Sequence, residues 1–177
     1  AASSSPPAYQ EEAGFGMEQP VFVTSLGQSA DLLMLTAILG RLDITCTSNA
    51  MAVPDDLGEA RTVILVVGAS SKGLAASEMA LEDEQARAEK WATALEMGDR
   101  QVVVAYLGGS ARRDDPTMSL AQLILPSADA LLVVSEGDTD HYFKDFAADI
   151  GIPYLAPPSV AESKAWVSRL FEAEPSH

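Results

Sequence analysis

Three short segments combine glycine, serine and cations: Ser25-Leu26-Gly27-Gln28-Ser29, Gly68-Ala69-Ser70-Ser71-Lys72-Gly73 and Gly108-Gly109-Ser110-Ala111-Arg112-Arg113. Glycine lets backbone N–H groups approach a ligand, and serine adds a short donor. Lys72, Arg112 and Arg113 are three of only eleven Lys and Arg residues in a chain of net charge −15. Arg presents a bidentate fork and Lys a point charge, so the chemistry on offer is capture of a small anion: a carboxylate, phosphate or sulfate. The expected ligand-binding set is Gly27, Gln28, Ser29, Gly68, Ser70, Ser71, Lys72, Gly73, Gly109, Ser110, Arg112 and Arg113. The plainer reading treats these segments as ordinary turns whose cations pair with Asp114, Asp115 or Glu136 on the surface.

Sharper motifs fail in turn. A Walker loop requires Lys-Ser/Thr after its second glycine, whereas Lys72 precedes Gly73 and Leu74-Ala75 follow it. The first segment lacks a dinucleotide fingerprint, and Ser25-x-Gly27-x-Ser29 is a faint echo of a flavin phosphate loop, so no cofactor is expected and FMN is disfavoured. Gly68 stands where a receiver domain carries its phosphorylated aspartate. Gly68-x-Ser70-x-Lys72 misses the second glycine of a nucleophile elbow. Ser70 or Ser71 beside Lys72 still makes a hydrolase or transferase the alternative, with His141 expected at the same rim. Cys46 is expected at that rim too, as a small core hydrophobe rather than a nucleophile. Glu136, Asp138 and Asp140 suit a cation or a ligand hydroxyl, though a solvated acidic loop explains them as well.

The elements that must position these groups follow from hydrophobic period. Strands are expected at 21–25, 44–47, 62–67, 102–107 and 130–135, with a short one at 154–155. Val63-Ile64-Leu65-Val66-Val67 and Leu131-Leu132-Val133-Val134 are continuously apolar, as strands covered on both faces are. Between them lie helical patterns: a helix from a Ser29 cap to Leu42, one behind Glu82-Asp83-Glu84, one opened by Asp115-Pro116, one from Thr139 or Asp140 to Ile150, and one behind a Ser159/Glu162 capping box. This rhythm predicts a three-layer, doubly wound α/β domain with a mostly parallel five-stranded sheet in the flavodoxin-like order 2-1-3-4-5, helices on both faces. Such sheets bind ligands beyond the carboxyl ends of their strands, where all three segments fall, with the first helix N-terminus adding a partial positive charge.

Composition excludes several partners. A pI near 4.3 argues against nucleic acid and anionic membrane surfaces. The longest apolar run, around Leu32 to Leu42, falls short of the roughly 20 residues of a membrane span. The lone Cys46 permits no internal disulfide, and two histidines offer no His/Cys metal cluster. Residues 1–19 are expected to be a disordered tail, either the mature N-terminus of an exported protein or an expression leader, with the domain over 20–173 and a C-terminal tail at 174–177. The first helix carries Leu33 and Met34 beyond its core stripe, which makes a homodimer or another protein contact through 29–42 an expectation to test against deep burial.

On Gln28-Ser29-Ala30-Asp31, Val66-Val67-Gly68-Ala69-Ser70-Ser71-Lys72-Gly73-Leu74 and Gly108-Gly109-Ser110-Ala111-Arg112-Arg113, the chain resembles an uncharacterised family of exported bacterial α/β domains of unknown function, over about Pro20 to Phe171. The resemblance implies an extracytoplasmic location after signal-peptide removal, with the cytoplasm as the alternative. It implies no activity, and it suggests that the Ser-Ser-Lys-Gly and Ala-Arg-Arg loops share one site. The resulting expectation is a non-catalytic binding domain for a small anionic metabolite.

Overall fold

Continuous apolar runs alternating with amphipathic helices build a sheet buried on both faces; the computed structural model describes residues 14–172. The strands β1 (Val21–Leu26), β2 (Cys46–Ser48), β3 (Thr62–Val67), β4 (Gln101–Tyr106), β5 (Ala130–Val133) and β6 (Tyr154–Leu155) lie in the order β2-β1-β3-β4-β5-β6. Every pairing is parallel. The expected 2-1-3-4-5 order is therefore present, and the short candidate at 154–155 joins it as a sixth, edge strand.

Helices α1 (Asp31–Arg41), α2 (Ser71–Ala76), α3 (Leu81–Leu95), α4 (Asp115–Ile124), α5 (Tyr142–Ile150) and α6 (Lys164–Phe171) complete the fold. Successive strand residues point to opposite faces, so each buried strand feeds two cores. Val63, Leu65, Val104 and Tyr106 meet Ala88 and Trp91 of α3, Leu120 of α4 and Phe143 of α5. Ile64, Val66, Val103 and Ala105 meet Leu35 and Leu39 of α1 and Val167 and Leu170 of α6. A fully buried aliphatic side chain contributes about 1.5–3 kcal/mol, so these two layers dominate the stability of the fold.

The helix starts are chemically specified. Asp114 accepts the Thr117 N–H at 3.0 Å, with Pro116 in the first turn of α4. Asp138 accepts the N–H groups of Phe143 at 2.9 Å and Lys144 at 3.0 Å, so α5 opens at Tyr142, later than Thr139 or Asp140. Helix α2 was not anticipated: six residues holding Gly73 carry no apolar period, and Ser70 Oγ caps it by accepting the Gly73 N–H at 3.1 Å. Cys46 begins β2 opposite Val21, which puts it at the amino end of the sheet and not at the rim expected for it.

The expected tail ran to Gln19, but its described part is tied down. Phe15 and Met17 donate their N–H groups to the carbonyls of Arg169 and Leu170 at 3.0 and 2.8 Å, and Met17 is buried in the core under α1 and α6. Two apolar residues spaced by two were the strand-like signal for this. Residues 1–13 and 173–177, which include the rest of that tail and the C-terminal one, lie outside the described residues. Among the described residues no helix is long and apolar enough to cross a membrane.

Candidate functional site

Parallel register aligns the strand ends: Leu26 pairs with Val67, Val66 with Ala105 and Tyr106 with Val133. The three Gly/Ser segments therefore meet at one edge of the sheet, as expected. The first two close on each other instead of leaving a crevice. Gln28 and Ala69 form an antiparallel bridge, and the N–H groups of Gly68 and Ser70 donate to Leu26 O and Gly27 O at 2.9 Å each. A Cβ on Gly27 would overlap the Gly68 carbonyl, and one on Gly73 the Gln28 carbonyl. These glycines allow backbone to pack on backbone. The amides expected to face a ligand are engaged internally: Gly27 N–H donates to Glu84, Ala69 N–H to Thr117 Oγ1 and Gly73 N–H to Ser70.

Beneath this seam lies a buried ion pair that sequence reasoning missed. Glu84 and Arg87 of α3 meet at 2.7 Å, their side chains 0 % and 7 % exposed. Burying two charges costs several kcal/mol each unless every polar atom finds a partner. Here the partners are abundant. Glu84 Oε2 accepts the Gly27 N–H at 2.6 Å and Gln28 Nε2 at 3.2 Å. Arg87 donates to the carbonyls of Ala52 at 2.7 Å, Ala50 at 3.1 Å and Ser25. Gln28 Nε2 also reaches Ala50 O at 2.8 Å, and Trp91 Nε1 reaches Ala52 O at 3.0 Å. Gln28 thus turns inward, its φ of 62° placing it in the left-handed region, and leaves the ligand set. A signal was available: Glu84, Arg87, Ala88, Trp91 and Leu95 occupy one helical stripe, so the two charges lie on the apolar face.

The three cations separate. Arg113 is 13 % exposed and forks onto Asp140 at 2.8 and 2.9 Å, with a third bond to Gly137 O at 2.8 Å. Its guanidinium also packs 5.1 Å from the Phe143 ring centre and 5.6 Å from that of Tyr142. It locks the loop after β4 to the loop after β5, and it does not join the other two. Arg112 contacts Asp31 Oδ2 at 2.7 Å; Asp31 is 8 % exposed and Arg112 still 52 %. Asp31 sits in the first turn of α1, so the protein's own carboxylate takes the place beside that helix N-terminus. Ser29 Oγ serves the same turn by accepting the Asp31 N–H at 3.1 Å. Lys72 is exposed and pairs with no carboxylate among the described residues. Ser71 and Ser110 are exposed, and Gly109 lies beside Glu136.

The remaining candidates are accounted for by structure. Burial pushes the Tyr106 hydroxyl up to about 12, against Arg112 and Arg113 nearby, and it donates to Gly109 O at 2.8 Å to hold the Arg112 loop. Asp138 is buried as the α5 cap and accepts the Tyr154 hydroxyl at 2.6 Å. Burial raises the Cys46 thiol pKa, which disfavours the reactive thiolate. His141 is exposed at the start of α5. Among the described residues no three His, Cys, Asp or Glu side chains converge as a metal site.

Sheet order and edge define a flavodoxin-like α/β domain with a sixth strand, whose switch point is packed shut and whose rim carries Arg112 and Lys72. A comparison with the curated proteins gave no match. The chain belongs to the family described as Domain of unknown function (DUF6305), whose model matches residues 18–171.

Two outcomes follow. Arg87→Met leaves Glu84 buried and unpaired, so denaturant melts are expected to show a loss of about 3–5 kcal/mol. A loss under about 1 kcal/mol, as for an exposed pair, would contradict the role assigned to it. The Arg113 hydrogen bond holds the Asp140 carboxyl below its ordinary value. A depressed pKa contributes stability above the unfolded value that is lost as pH falls through the folded one. Asp140→Asn is therefore less stable at neutral pH, and its deficit relative to wild type shrinks in melts taken below about pH 4.

Proposed function

We propose that this domain binds a small anion, a carboxylate, phosphate or sulfate, at the carboxyl edge of the sheet and catalyses no reaction there. Arg112 carries the reading. One terminal nitrogen is anchored 2.7 Å from buried Asp31, while the side chain stays 52 % exposed. Ordering a long side chain on binding costs about 0.5–1.5 kcal/mol, and an anchored guanidinium has already lost much of that freedom. Lys72, without an ion-pair partner among the described residues, supplies a second cation from the neighbouring segment, and Ser71 and Ser110 supply exposed hydroxyls. A molecule of charge −15 repels anions elsewhere on its surface, which favours capture where cations remain free.

Compared with the expected set, Gln28, Ser29, Ser70 and Arg113 are occupied within the protein, and Asp31 enters as a positioning residue. The hydrolase or transferase alternative loses Ser70, whose hydroxyl caps α2, and retains only the adjacency of Ser71 and Lys72. An extracytoplasmic location belongs to the same proposal. A second reading, self-association through α1, is favoured by Leu33 and Met34, which are 67 % and 48 % exposed.

Thermal melts in sulfate, phosphate and citrate, against chloride at matched ionic strength, test the first reading. At a hundredfold excess over Kd a bound anion stabilises by about 2.7 kcal/mol, a shift of several degrees. Arg112→Ala and Lys72→Ala are expected to abolish the shift and Arg113→Ala to keep it. Equal shifts in all three variants would reject the site. Light scattering on the same samples tests the second: a dimer lost in Leu33→Glu supports it, and a monomer at every concentration rejects it.

A further inference from the structure

A cavity lies along the outer edge of β6, three strands from the β3 side of the loop seam. It encloses about 560 Å³ between α5 and α6, within the ordinary range of small-molecule sites. Its apolar surface comes from Phe15, Ile152, Leu155 and Trp166, where the cores on the two faces of the sheet approach each other at the edge strand. Phe15 is present because the segment before β1 is bonded to α6 through Arg169 O at 3.0 Å.

Each helical wall contributes one cation, Lys144 from α5 and Arg169 from α6. Neither lies within ion-pair distance of a carboxylate among the described residues, although acidic residues outnumber basic ones 26 to 11. An apolar, aromatic-walled cleft flanked by two cations that pair with no carboxylate among the described residues is complementary to a molecule with an apolar body and an acid group. The edge strand itself argues against an added peptide strand. β6 has two residues and is bounded by Pro153 before it and Pro157-Pro158 after it, a length and composition that guard an edge against strand addition.

We propose that the cleft between α5, α6 and β6 binds an amphipathic organic monoanion of the medium-chain carboxylate class. The hydrocarbon body lies against Trp166 and Phe15, and the acid group is drawn by Lys144 and Arg169. The site shares no residue with the sheet-edge anion site and does not depend on it.

Trp166 provides the readout, because the other tryptophan, Trp91, is fully buried in the core. The 177-residue chain is titrated with decanoate below its micelle-forming concentration, in parallel with decanol and acetate, following tryptophan emission, which reports on the cleft and not on the sheet edge. Decanoate is expected to give a saturable change that is absent in Trp166→Phe, with acetate silent and decanol binding about tenfold more weakly, one ion-pair's worth. Lys144→Ala with Arg169→Ala, both away from the core, weakens decanoate to the level of decanol and keeps the melting temperature. Arg112→Ala and Lys72→Ala leave the decanoate response of Trp166 unchanged, so failure here and failure of the sheet-edge site are separable. Equal affinity for decanoate and decanol, no effect of the cation variants, or a Trp166 signal that follows protein concentration instead of ligand would overturn the proposal; the last would assign the cleft to a second copy of the chain.

Discussion

The carboxyl edge of the sheet depends on one buried interaction, the Glu84–Arg87 pair on α3. Two opposite charges three residues apart on the inner face of a helix are placed where water cannot serve them, so the surrounding backbone must. Arg87 gathers the carbonyls of Ser25, Ala50 and Ala52, and Glu84 holds the Gly27 amide. These bonds tie the end of β1, the turn after β2 and helix α3 into one unit. Such a network makes a single loop conformation strongly preferred, because any rearrangement leaves a buried charge short of partners.

That constraint determines what chemistry remains at the rim. With the β1 and β3 loops bridged through Gln28 and Ala69, the crevice that open parallel sheets commonly offer is filled by the chain's own backbone. In the proposed function, recognition falls to side chains left exposed at that edge. Arg112 and Arg113 are neighbours in sequence yet play different parts. Arg113 is enclosed by Asp140, Gly137 O and two aromatic rings and acts as a structural lock, whereas Arg112 is held at one end by Asp31 and open at the other. Hydrogen bonding and burial, more than charge count, decide which cation can meet a ligand.

The sheet was legible because strands such as Val63–Val67 have no polar face, and only burial on both sides accommodates that. Helices with a clear apolar stripe, α1, α4 and α5, were legible for the related reason. Helix α2 was not, since its six residues are specified by the Ser70 cap and a close backbone approach at Gly73. The site was legible only as a place. Segment composition and strand order brought the three loops to one edge, but sequence adjacency carries no information on side-chain direction, so Arg113 was grouped with Arg112. Glu84 read as an acidic residue suited to a helix start; its position on the same stripe as Ala88 and Trp91 pointed to burial instead. Gln28 was read as a ligand donor and Asp31 was given no role of its own, because their parts in the structure depend on partners 56 and 81 residues away along the chain.

In the proposed function a single guanidinium, Arg112 anchored by Asp31, is the place where this acidic molecule accepts an anion, with Lys72 contributed by the neighbouring segment. Selenate soaked into crystals and located by its anomalous signal tests this most directly. A peak is expected within hydrogen-bonding distance of the Arg112 guanidinium, and its loss is expected in Arg112→Ala. A peak elsewhere with none at Arg112, or a fully occupied Asp31–Arg112 pair that excludes selenate at saturating concentration, would contradict it.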